Sequence, residues 1–150
     1  MSEIFSEQVV SRVRESVDRD RLLETATLLV GTPSPTGSAG AVAERLAELL
    51  VEEGFAVERP VAGYAESPAV VARFDTGRPG RVLQFNGHLD TVHLPFVPPR
   101  IEEGVMYGSG VSDMKGGVAA AVEAMRVVRD GDLLSSGGVM LTAHDLHEAP

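Results

Sequence analysis

From residue 39 onward, segments with helical spacing of apolar residues alternate with short strand-like runs, and this alternation restricts the fold more than any other feature. Val42, Leu46, Leu49 and Leu50 place a helix over about 39–53. Gly54 follows as a left-handed cap that lets Phe55 fold back on Leu50. Strand-like runs come next at 55–62, 68–75 and 81–87, the last opened by the turn TGRPG. A Pro- and Gly-rich stretch at 93–112 reads as loop, a helix runs from Met114 to about Arg129, and a final strand covers 139–143. Two helices precede these elements. One spans 3–17 with Phe5, Val9, Val13 and Val17 in register; the other spans 20–30 with Leu22, Leu23, Ala26, Leu29 and Val30 inward. The loop GTPSPTGSAG separates them from the third. The pattern predicts an α/β fold with helices packed on a mixed, largely parallel sheet, without repeats or linkers. In such sheets ligands sit beyond the carboxyl ends of the strands, where GHLD and HDLHE follow two of the predicted strands.

Charge and composition narrow the partners. The net charge is −9 and no Lys/Arg cluster offsets it, which argues against nucleic acid and anionic lipid. The absence of cysteine excludes disulfides, thiolate zinc sites and a cysteine nucleophile, and fits a cytoplasmic protein. The polar N-terminal stretch lacks the apolar run of a signal peptide, and no segment is long enough to span a membrane.

Three clusters carry chemistry. His88 and Asp90 stand two apart, so in extended backbone they point to one side. A neutral imidazole ligates zinc, and a neighbouring carboxylate fixes its tautomer. Gly87 would let the backbone pass close to a metal. The plain alternative is a surface pair in a turn, with Asp90 capping the next segment. Asp113, in YGSGVSDMKGG, is either the N-cap of the following helix or a carboxylate that bridges two cations. HDLHE packs two of the four histidines, an Asp and a Glu into 144–148, as a metal-binding loop or a solvated one. Imidazole and carboxylate donors without sulfur suit zinc, and also cobalt or manganese.

GHLDTV (87–92) with YGSGVSDMKGG (107–117) resembles the paired signatures of the dimetal aminoacylase and metallopeptidase family that includes acetylornithine deacetylase, succinyl-diaminopimelate desuccinylase and glutamate carboxypeptidase. TPSPTG (32–37) resembles the loop after that family's second helix. The resemblance implies a hydrolase of amide bonds, acting on N-acyl amino acids or C-terminal peptide bonds through a metal-activated water. It implies two divalent ions, most often zinc. His88 would bind one ion, Asp90 would orient His88, and Asp113 would bridge both, with a cis peptide bond to Met114. Glu148 stands at the family's separation from the bridging aspartate and would be a ligand. The general base, a Glu in the family, then falls on His147. A one-residue shift would instead make Glu148 the base and leave Ala149 in the ligand position. His144 and Asp145 have no counterpart, His93 replaces a frequent Pro, and Ser109 a frequent Arg.

The resemblance further implies that residues 1–150 are the N-terminal portion of a metallohydrolase catalytic domain. A later acidic ligand, a distal histidine and a lid domain that forms a homodimer would lie outside the chain. On that reading the 150-residue piece alone is expected to be inactive. The competing expectation is a non-catalytic metal- or substrate-binding relative that lost its base, because His147 stands where the family has Glu. A plain α/β domain whose His and Asp are caps and turn residues is the third.

Overall fold

A computed structural model describes residues 7–61 and 63–149. Three helices come first: α1 (Glu7–Glu15), α2 (Arg19–Val30) and α3 (Gly40–Glu52). Then follow β1 (Ala56–Glu58), β2 (Val70–Asp75), β3 (Val82–His88), β4 (Arg100–Glu102), β5 (Val105–Tyr107), α4 (Gly116–Asp130) and β6 (Gly138–His144). Asp18 starts α2 by accepting the N–H groups of Asp20 and Arg21, each at 3.0 Å. Beyond α3, Gly54 takes φ +83°, and the Phe55 N–H returns to the Leu50 carbonyl at 3.0 Å, as the sequence implies.

The main sheet has the order β1-β2-β6-β3. Alternation along its strands buries Val70, Ala72, Val139, Leu141 and Ala143 against Leu29, Leu46, Leu50, Val122 and Met125 of the helices. The fold is α/β with a mixed sheet, but its pairings correct the expectation of a largely parallel one. β3–β6 is parallel, whereas β1–β2 and β2–β6 are antiparallel. Among the described residues, only the connection from β3 to β6 carries a helix, α4, long enough for a parallel crossover. That crossover sets His88 and His144 side by side as register partners at the carboxyl ends of β3 and β6.

Three details differ from the sequence expectation. The first helix buries no residue among those described: Val9 and Val17 are exposed, and Phe5 lies outside the described residues. Leu23 of α2 is exposed rather than inward. The loop at 93–112 contains the hairpin β4–β5, turned by Glu103 and Gly104 at φ 51° and 80°, the left-handed pair that a two-residue hairpin turn requires. Among the described residues, no helix is long and apolar enough to cross a membrane.

Candidate metal centre

His88 closes β3 and is buried. Its Nδ1 lies 3.0 Å from the Asp90 carbonyl oxygen and 3.3 Å from Asp90 Oδ1. With the ring proton on Nδ1, where the two Asp90 oxygens accept it, Nε2 would offer its lone pair to a cation. Nε2 faces Asp113 Oδ1 at 3.0 Å and Glu148 Oε1 at 3.7 Å. Each of these two distances is close to the roughly 3.4 Å that separates ligands placed about 2.1 Å from a tetrahedral zinc, but the donor atoms that all lie within 4.8 Å of one another among the described residues are those of His88, His147 and Glu148, without Asp113.

Asp90 is wholly buried and does more than orient His88. Its carboxylate also accepts the N–H of Glu148 at 2.9 Å and of His147 at 3.3 Å. Burial pushes this carboxyl up, yet those hydrogen bonds, led by the Glu148 N–H, hold it below the usual carboxylate range. One side chain therefore fixes both the imidazole and the loop that brings Glu148 to it.

Asp113 is not a helix cap. It lies in a wide turn, Val111–Lys115, with φ −139° and ψ 97°, and α4 begins only at Gly116. The Asp113–Met114 bond is cis, as the resemblance implies. The Asp113 side chain is 74% exposed, which leaves it open to a ligand or substrate. Gly87 serves packing as well. A Cβ there would meet Val118 Cγ2 at 3.0 Å and Met114 Cε at 3.1 Å, so the glycine lets β3 pack tightly on the start of α4.

His147 is exposed and stacks on His88, with ring centroids 4.3 Å apart and planes 18° from parallel. Ligating atoms of His88, His147 and Glu148 all lie within 4.8 Å of one another. His144 meets His147 edge-on, 6.1 Å between centroids. A cleft of about 330 Å³ opens beside Asp113 and Glu148, with Thr91, Val92, Met106, Tyr107 and Val111 in its wall.

Lys115 is a residue that the motif reading did not single out. It is wholly buried, and its Nζ donates to the Thr32 carbonyl at 2.7 Å, pinning the Asp113 turn to the TPSPTG loop. Burial pushes its ammonium down to about 8. Its position inside SDMKGG, two residues after Asp113 and directly before two glycines, was the available signal.

The sequence model of peptidase family M20/M25/M40 matches residues 84–144. A succinyl-diaminopimelate desuccinylase of Methylorubrum populi is 41% identical over 114 residues, covering 68% of this chain and 29% of that protein. The chain thus spans about a third of the length of the curated relatives it matches. Aminopeptidase PepT of Bacillus cereus superposes with a TM-score of 0.74 at 21% identity, covering 89% of this chain and 38% of that one. The YXEP protein of Bacillus subtilis, described as a dinuclear metal-binding peptidase, gives 0.60 at 16% identity, with 86% and 35% covered. The matched region runs from β3 to the end of β6 and contains His88, Asp90 and Asp113, and by these similarities the chain belongs to peptidase family M20/M25/M40.

Proposed function

We propose that this chain carries part of the divalent-metal site of an amide-bond hydrolase, with His88, Asp113 and Glu148 as ligands and N-acyl amino acids or short peptides as substrates. The observation that carries this reading is the approach of Asp113 Oδ1 and Glu148 Oε1 to the one nitrogen of His88 that Asp90 leaves unclaimed. Family membership and the desuccinylase relatives support it. Two ions, zinc before cobalt or manganese, suit the imidazole and carboxylate donors. Asp113 Oδ2 makes no hydrogen bond among the described residues, and a bridging role would use it.

Cations held there would supply Lewis acidity, polarising the amide carbonyl and making water a nucleophile near neutral pH. The residues do the rest. Asp90 keeps the proton on His88 Nδ1. Val92, Met106, Tyr107 and Val111 give the cleft an apolar wall against which a substrate side chain or acyl group packs. His147, beside His88, takes the proton of the attacking water and returns it to the amine as the C–N bond breaks; Glu148 is the alternative base within reach.

The test is turnover. In the protein carrying this chain, release of free amino acid from N-acetyl and N-succinyl substrates is expected only with added zinc, cobalt or manganese. Glu148→Gln is expected to lower it at least ~100-fold, the scale of losing a general acid–base group or more. Hydrolysis that survives both a chelator and Glu148→Gln would overturn the reading.

A further inference from the structure

Asp145 lies outside the proposed ligand set, and the family signatures assign it nothing. Its carboxylate nevertheless makes three hydrogen bonds to backbone. Oδ1 accepts the N–H of Gly37 at 3.0 Å and of Leu146 at 2.7 Å, and Oδ2 accepts the N–H of Ala39 at 2.9 Å. Gly37 and Ala39 belong to the loop between α2 and α3. Ala39 is the residue that opens α3, and no local side chain caps that helix. Asp145 therefore supplies negative charge at the start of α3 from more than 100 residues away in sequence.

The bonds close a ring around the site. The α2–α3 loop is sewn to the segment that carries Asp90: Ser34 Oγ donates to the Leu89 carbonyl at 2.7 Å, the Thr91 N–H to the Ser34 carbonyl at 2.9 Å, and the Thr36 N–H to the Thr91 carbonyl at 3.2 Å. Asp90 in turn receives the N–H groups of His147 and Glu148. Asp145 is the remaining link, joining that loop back to the segment with Glu148. Between the two anchors the chain turns at Leu146, φ 66°. Asp90 fixes the far end of the turn and Asp145 the near end, so together they determine where Glu148 and His147 stand relative to His88.

We infer that Asp145 is a positioning residue for the metal centre: its hydrogen bonds to the α2–α3 loop set the distance between Glu148 and His88. The inference rests on the reading of His88 and Glu148 as ligands.

Cobalt(II) titration followed by visible absorption tests it, because band position and intensity report ligand geometry rather than overall stability. Asp145→Asn keeps the shape but loses charge and acceptor capacity. It is expected to raise the cobalt Kd about 10-fold or more, the effect typical of removing a group that supports a ligand, and to alter the spectrum while the circular dichroism stays that of the parent. Asp145→Glu, which restores the charge one methylene further out, is expected to recover part of the affinity. It serves as the test variant if Asp145→Asn fails to fold. Tyr64→Phe removes the 2.6 Å bond from the Tyr64 hydroxyl to the Gly37 carbonyl and is the control. It acts on the same loop without touching Asp145 and should leave the spectrum unchanged. Parent-like affinity and spectrum in folded Asp145→Asn, with Glu148→Gln impaired, would overturn the positioning role alone. If Glu148→Gln and His88→Gln also bind cobalt like the parent, the ligand reading itself fails.

Discussion

At the scale of single residues, Asp90 is the pivot. It was legible as the partner of His88, because the two-residue spacing puts both side chains on one side of an extended strand. Its second duty, receiving two N–H groups of the 147–148 segment, depends on contacts more than 50 positions apart, which spacing cannot report. Asp90→Asn should therefore injure the centre twice, through the His88 tautomer and through the Glu148 position. Metal affinity is expected to fall by about 10- to 100-fold, checked by isothermal titration with zinc. Parent-like affinity in that variant would mean that neither contact matters to the ligands. His147 poses the complementary question. If histidine is a weak substitute for a carboxylate base, His147→Glu should raise kcat with KM little changed; a loss of turnover would show that the histidine itself is required.

At the scale of elements, a buried ionic cluster clamps α2, α3 and α4 behind the sheet. Arg126 and Glu123 are almost fully buried. Arg21 donates two 2.9 Å hydrogen bonds to Glu123, and Arg126 reaches Glu123 at 3.3 Å, Thr25 at 2.9 Å and the Glu53 carboxylate. Removing one charge strands its partners, so Glu123→Gln is expected to cost about 3–5 kcal/mol, read from urea midpoints at pH 7. Burial pushes the Glu123 carboxyl up, but Arg21, the Asp18 N–H and Arg126 hold it below the usual range. The unfolded chain then binds more protons than the folded one in acid. The contribution of Glu123 is complete above its unfolded value of about 4.3 and is lost as pH falls through the lower folded value. The parent should thus lose stability below about pH 4.3 faster than Glu123→Gln does. Parallel acid limbs in the two proteins would contradict that origin. The α4 spacing made the helix legible, but not that two of its polar residues face inward, because charged side chains normally mark the solvated face.

At the scale of the whole molecule, the order of elements was legible because each long segment kept one period throughout. α2, α3, α4 and the strands β2, β3 and β6 lie within a few residues of their expected bounds. The β4–β5 hairpin was not legible: its strands are three residues each, too short to show alternation, and they follow directly on Pro98 and Pro99. It matters nonetheless, since it brings Met106 and Tyr107 into the cleft wall. The sheet direction was overestimated as parallel because the sequence shows alternation of elements but not that β6 inserts between β2 and β3. On the proposed ligand set, cation binding would couple the centre to the fold, because His88, Asp113 and Glu148 come from the end of β3, the turn before α4 and the loop after β6. Zinc at 100 times its Kd should add about 2.7 kcal/mol of stability. That corresponds to a rise in Tm of several degrees, roughly 5–10 °C, which His88→Gln should abolish.

Equilibrium dialysis against zinc with elemental analysis of the protein tests most directly whether His88, Asp113 and Glu148 form a divalent-metal centre with Asp113 as its bridge. The purified chain is expected to retain zinc at a stoichiometry of about one or more per molecule, and Asp113→Ala to retain essentially none, because the bridging carboxylate serves every ion in the centre. A parent chain that holds no zinc while folded, or an Asp113→Ala variant that holds as much as the parent, would contradict that reading.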